Sequence, residues 1–116
     1  MKQKIYLSSF FSNNISDKKK ISIARRQPRG HKHDTCKALA PNDNVWACKD
    51  DPKWAPEYKK QLAGLEVSRV IKGLEWMNNE GEDIVLLCWE RDEKDCHRQL
   101  VADWLSNAGY ETEYLA

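Results

Sequence analysis

Two short stretches gather most of the side chains able to do chemistry. Cys88-Trp89-Glu90 supplies a thiol, an indole and a carboxylate, and Cys96-His97-Arg98 adds a second thiol, an imidazole and a guanidinium. An unperturbed histidine titrates near ~6.5, so His97 is suited to exchanging protons around neutrality. Glu90 suits the companion role, either as general acid or base or as acceptor of a ribose hydroxyl. The plainer alternative for Glu90 is a salt bridge to Arg25 or Arg98. A cysteine at a helix start has its thiolate favoured by the dipole and by nearby cations, making Cys96 a candidate nucleophile. Cys96 also stands in helical register with Leu100 and Trp104, where a thiol is a small core side chain. Consecutive helical residues project about 100° apart, which argues against His97 as the base for Cys96. Cys88 closes an apolar run and reads better as core than as a reactive group.

Anion recognition is the second chemistry on offer. A helix N-terminus presents free N–H groups and about half a positive charge, and Arg98 adds a planar fork suited to phosphate or carboxylate. Asp92, Glu93 and Asp95 stand ready to pair with Arg98 instead. Arg25, Arg26 and Arg29 supply further guanidinium groups, and Ser8-Ser9 supplies hydroxyls. His31-x-His33-x-x-Cys36 has short ligand spacing, but no C-x-x-C pair accompanies it. No metal site and no cofactor is therefore expected. Trp46 and Trp54 sit in irregular sequence, where they can stack on a base or lie over a crevice. Trp76 and Trp104 read as core, and Trp89 as either.

The elements that must position these groups follow from apolar spacing. Lys2–Ser9 alternates around Ile5, Tyr6 and Leu7 as a first strand, and Asp17–Lys20 reads as a solvated connection. Ile21–Ala24 reads as a short second strand ending at Arg25-Arg26. From Gln27 to Ala55 the prolines, Gly30 and the Asn/Asp residues leave no period, with at most a short helix around Thr35–Ala40. Pro56 suits the first position of a helix through Glu57–Ala63. Val67, Val70, Ile71, Leu74 and Met77 form a helical stripe, with Gly81 placed to stop it. Whether Gly64 separates two helices or interrupts one stays open. Asp83–Trp89 reads as a strand buried on both faces. A helix capped by Asp92 or Asp95 follows, with Gly109 ending it, and Tyr110–Leu115 alternates as the last strand.

Strand, helix, strand over residues 83–115 is a βαβ unit, which implies parallel strands and a right-handed crossover. With helices expected between the earlier strands too, the fold class is α/β. The chain reads as one three-layer Rossmann-like domain over residues 1–116, with a small, mostly parallel sheet. Ligands of such sheets bind beyond the carboxyl ends of the strands, where strand order reverses. That rule converges Ser8-Ser9, Arg25-Arg26, Cys88-Trp89-Glu90 and the helix start at Cys96-His97-Arg98 on one crevice.

Composition sets the bounds. With 116 residues, 41% hydrophobic and 32% charged, the chain has the make-up of an ordinary globular domain. No apolar run approaches the ~20 residues of a membrane helix, and no secretory leader is evident. A cytoplasmic setting is therefore expected, with all four cysteines as reduced thiols. Charge is uneven: residues 1–40 hold ten Lys/Arg against two acids, and residues 41–116 hold nine against sixteen. That suggests a positive surface open to anions, although the chain lacks the overall basicity of a duplex-DNA binder.

The string Leu86–Leu105, LLCWERDEKDCHRQLVADWL, resembles the C-x-E…C-H-R signature of domain-of-unknown-function family 488, the YeaO-like group. ISIARRQPRG, Ile21–Gly30, is similar to that family's second strand and Arg…Pro segment, and KIYLSSFFSN resembles the opening of its short phage and bacterial members. The resemblance implies a Rossmann-like domain with a nucleotide- or nucleic-acid-related role. The middle of this chain departs from the pattern through His31, His33, Cys36 and Cys48.

Two functions are expected from these readings. One is an enzyme acting on a nucleotide-type substrate, with Arg25 and Arg98 on phosphate and Glu90, His97 or Cys96 in chemistry. The other is a non-catalytic protein that sequesters a nucleotide, for example a phage counter-defence protein. The expected partner is a small phosphate-containing ligand or nucleotide, with nucleic acid as a second candidate and no membrane.

Overall fold

The all-apolar run Ile84–Cys88 forms strand β4, and every one of its five side chains is buried. Around it a computed structural model, which describes residues 4–12, 15–48, 53–78, 83–88 and 98–115 (Arg98 by its backbone alone), builds a five-stranded sheet. The other strands are β1 (Ile5–Ser9), β2 (Lys19–Ser22), β3 (Asp34–Thr35) and β5 (Thr112–Tyr114), in the order β3-β2-β4-β1-β5. All four pairings are parallel. β1 runs beside β4 from Ile5↔Ile84 to Ser9↔Cys88, and β2 lies on the other side from Lys19↔Ile84 to Ser22↔Leu87. The second strand thus begins two residues earlier than apolar content alone indicates. Lys19 and Lys20 are half-buried in the ladder, and the Lys19 ammonium leaves it to reach Asp34 at 2.8 Å.

Side chains alternate across the sheet. Ile5, Leu7, Ile21, Ile84, Leu86 and Cys88 share one core cluster with the buried residues of every helix. Val85 and Leu87 belong to a second cluster, where Phe10, Ile15, Ala24 and the half-buried Tyr6 and Leu115 complete the packing. Among the described residues, the layer on that second face is made of irregular segments. No helix separates β1 from β2, or β2 from β3, among the described residues, which corrects the expectation of helices between the early strands. Among the described residues, the crossovers that follow β3 and β4 are the ones that carry helices.

Those helices are α1 (Asp43–Ala47), α2 (Trp54–Ala63), α3 (Val67–Met77) and α4 (Arg98–Asn107). Asn42 caps α1 by accepting from the Val45 N–H at 3.0 Å. The short helix therefore lies at residues 43–47, and residues 35–40 form a strand end and a turn. α2 begins at Trp54, two residues ahead of the Pro56 start read from sequence. Its buried Tyr58 donates a hydrogen bond to the Leu39 carbonyl, and Gln61 donates to the carbonyls of Ala38 (3.0 Å) and Ala40 (2.7 Å). Gly64 does separate two helices, and α3 buries Val70, Ile71 and Leu74 as its spacing requires. Trp76, read as core, is instead 81% exposed on the opposite side of α3. α4 ends in a Schellman motif: Tyr110 N–H reaches the Leu105 carbonyl, Gly109 N–H reaches that of Ser106, and Gly109 takes φ 89°.

Candidate functional site at the carboxyl edge of the sheet

β1 connects across β4 to β2, whereas β4 connects across β1 to β5. Chain segments leave these two adjacent strands in opposite directions, the arrangement that opens a crevice in parallel sheets. Ser9 and Cys88 stand side by side at that point, as register partners at the carboxyl ends of β1 and β4. Ser9 is 4% exposed, and its Oγ accepts the Phe11 N–H at 3.0 Å, leaving the hydroxyl proton to donate. Ser8 points to the other face, where its hydroxyl donates to the Leu115 carbonyl at 2.7 Å and ties the chain's end to β1. Ser22, not singled out from sequence, ends β2 beside Leu87, and its Oγ accepts the Ala24 N–H at 3.2 Å.

The two arginines after β2 differ in their surroundings. Arg25 donates to the Pro41 carbonyl (3.1 Å) and to Asp43 (3.0 Å), and its guanidinium lies 5.2 Å from the Trp46 ring. Asp43 is 96% exposed, so the ion pair contributes ~0–1 kcal/mol and an entering anion can compete for the guanidinium. Arg26 is exposed. Trp46 thus lies against Arg25 near the edge, whereas Trp54 packs against the core. α4 opens at Arg98, so the backbone of that residue belongs to the helix start expected to face the crevice. Trp89, Glu90, Cys96 and His97 lie outside the described residues, as does the side chain of Arg98.

Cys88 is disulfide-bonded, whereas Cys36 and Cys48 are free. This corrects the expectation of four reduced thiols, and the sulfur partner of Cys88 lies outside the described residues. Burial raises the pKa of the Cys36 thiol and, well above its ordinary value, that of the Tyr58 hydroxyl.

Four rings that spacing did not bring together meet just past β1. His31 lies 5.5 Å from Phe10, 6.1 Å from Phe11 and 5.6 Å from His33, between ring centroids. Burial first, then the charges of His31, Lys20 and Lys19, lowers the pKa of His33. The His-x-His spacing was visible in sequence, but its apolar neighbours come from twenty residues upstream. Among the described residues no group of three or more His, Cys, Asp or Glu converges as a metal site.

No curated protein and no solved structure matches the chain. A family model does, described as DUF488-N3a, active DUF488-N3 subclade, and the match runs over residues 11–109. It covers the loop after β1, the arginine segment after β2, and the strand and helix that flank the crevice. With an all-parallel sheet and a match that spans most of its length, the chain belongs to the DUF488 family.

Proposed function

We propose that this DUF488 domain binds the anionic part of a nucleotide-type ligand at the carboxyl edge of β1 and β4. The observation that carries the reading is the pairing of Ser9 with Cys88 where the two connections part. Ser9 offers a hydroxyl proton from the floor of the crevice. In this reading the start of α4 contributes its N–H groups and the Arg98 fork, and Arg26 adds an exposed cation on the β2 side. Arg25 is committed to Asp43 and Trp46, so its first role in this reading is to hold α1 against the edge.

The word "active" in the family description favours turnover of the ligand over sequestration alone. Glu90 and His97 are the residues in which an acid–base pair is proposed. A cytoplasmic setting remains part of the reading, and among the described residues no helix is long and apolar enough to cross a membrane.

Charge reversal at Arg98 tests the anion site. Titration with AMP at fixed low salt is expected to show at least roughly tenfold weaker binding for Arg98→Glu, since a charge-assisted bond contributes about 1.5–3 kcal/mol. An unchanged melting temperature would show that the fold is retained. Wild-type affinity in the variant would place the site elsewhere.

A further inference from the structure

The β1 ladder continues one residue beyond Ser9, with the Phe10 N–H donating to the Cys88 carbonyl at 3.1 Å. Phe11 follows, its N–H held by the Ser9 hydroxyl oxygen. Phe11 is therefore held directly beside Ser9, with Phe10 packed behind it on the sheet's other face. Phe10 is buried in the smaller core cluster, but Phe11 is 42% exposed.

A closed loop lies over these rings. Its turn is fixed by the His31 N–H donating to the Pro28 carbonyl at 3.0 Å, with Gly30 at φ 86°, where a side chain would be strained. Its neck is tied by one side chain. Gln27 accepts the His33 N–H at 2.9 Å and donates to the His33 carbonyl at 2.6 Å and to Thr35 Oγ1 at 3.2 Å. So tied, the loop sets His31 edge-on to Phe10 and Phe11, and lays His33 parallel to Phe10 at 6.2 Å and 13°. Arg29 rides on the same loop at an exposed position.

A cluster serving only the core would cover its rings, yet Phe11 is exposed and both imidazoles are half-exposed. A metal clip needs more donors than the two imidazoles, and no third His, Cys, Asp or Glu joins them among the described residues. Rings held in place beside a phosphate site suit a planar partner, because stacking tolerates any base and contributes about 1–3 kcal/mol. The platform also stands formed in advance, which spares the ordering entropy that weakens binding to loose loops.

We propose that Phe10, Phe11, His31 and His33 form the seat for the base of a nucleotide whose phosphate lies at the Ser9–Arg98 crevice. The inference rests on the anion-site reading above. Gln27 acts as a positioning residue that keeps the two imidazoles over the phenylalanines.

Calorimetric titration with three probes separates the two ideas: AMP, ribose 5-phosphate and inorganic phosphate. AMP is expected to bind roughly 5- to 150-fold tighter than ribose 5-phosphate, the range that stacking of one base supplies. Phe11→Leu, which keeps apolar bulk at an exposed position, and His31→Ala should erase that preference while leaving ribose 5-phosphate affinity unchanged. Gln27→Ala should reduce the preference without touching ribose 5-phosphate. Equal binding of AMP and ribose 5-phosphate by the wild type would overturn the seat and leave the anion crevice standing. Retention of the full preference by Phe11→Leu and His31→Ala together would overturn it as well. Failure of all three probes to bind would remove the reading beneath it.

Discussion

At the scale of residues, one hydroxyl illustrates how position decides role. Ser8 and Ser9 are neighbours of the same type, both buried, yet alternation along β1 sends them to opposite faces. Ser8 spends its proton on Leu115, while Ser9 keeps one to donate where β1 and β4 part. The acid–base question belongs to Glu90 and His97, and conservative substitutions separate enzyme from binding protein. Glu90→Gln keeps the shape of the side chain and removes its proton acceptor. In an enzyme it should leave AMP affinity within about threefold and lower turnover of a nucleotide panel by the 10²–10⁴ typical of a lost general acid or base. His97→Asn should do the same if the two act together. Should both variants alter affinity alone, or nothing at all, the carboxylate and the imidazole have no part in chemistry.

At the scale of elements, the segments that sequence read well are those whose order is local. The unbroken apolar run makes β4, the stripe Val70-Ile71-Leu74 makes one face of α3, and Gly109 closes α4. Residues 27–48 were illegible because distant side chains order them: Tyr58 and Gln61 of α2 hold the turn at 38–40, and Gln27 ties the loop through His33. The candidate site divides the same way. The carboxyl-edge rule brought Ser9 and Cys88 together from sequence, whereas the four-ring cluster needed a loop twenty residues away. Titrating groups in this stretch and packed against it set a pH window for stability. Cys36 and Tyr58 keep their protons in the fold, while the unfolded chain releases them near ~8.5 and ~10. The folded state then binds more protons, so stability should fall as pH rises above about 8.5. His33 has a lowered pKa, so the unfolded chain takes up its proton first and stability should also decline below about 6.5. Melting temperatures across pH 5–11 should form a plateau between these limits, and in Tyr58→Phe the alkaline decline should be shallower. An alkaline limb unchanged in Tyr58→Phe would mean that the hydroxyl does not couple to folding.

At the scale of the whole molecule, the sheet has two unequal coverings. The uneven charge along the sequence is partly closed in space, because Lys4 from the basic end of the chain pairs with Glu113 from the acidic end at 2.9 Å. The apolar layers are not balanced in the same way. Leu86 faces the cluster built with four helices, and Leu87, its neighbour on β4, faces Phe10, Ile15, Ala24 and Leu115, none of them from a helix. Both leucines are fully buried, so the transfer of their side chains from water is equally favourable. They should differ in the cavity left by truncation, since the cost of Leu→Ala depends on how far the surroundings collapse into it. Helices that interdigitate across one face resist that collapse, while irregular segments can close over the gap. Leu86→Ala should therefore destabilise the fold toward the upper part of the usual ~2–5 kcal/mol range, and Leu87→Ala toward the lower part. Urea unfolding at pH 7 would measure both midpoints, with unchanged slopes showing that only stability has moved. Equal costs, or a larger cost for Leu87→Ala, would mean that the helix-free layer is packed as rigidly as the helical one. The loops around the carboxyl edge would then owe their order to this second face as much as to their own hydrogen bonds.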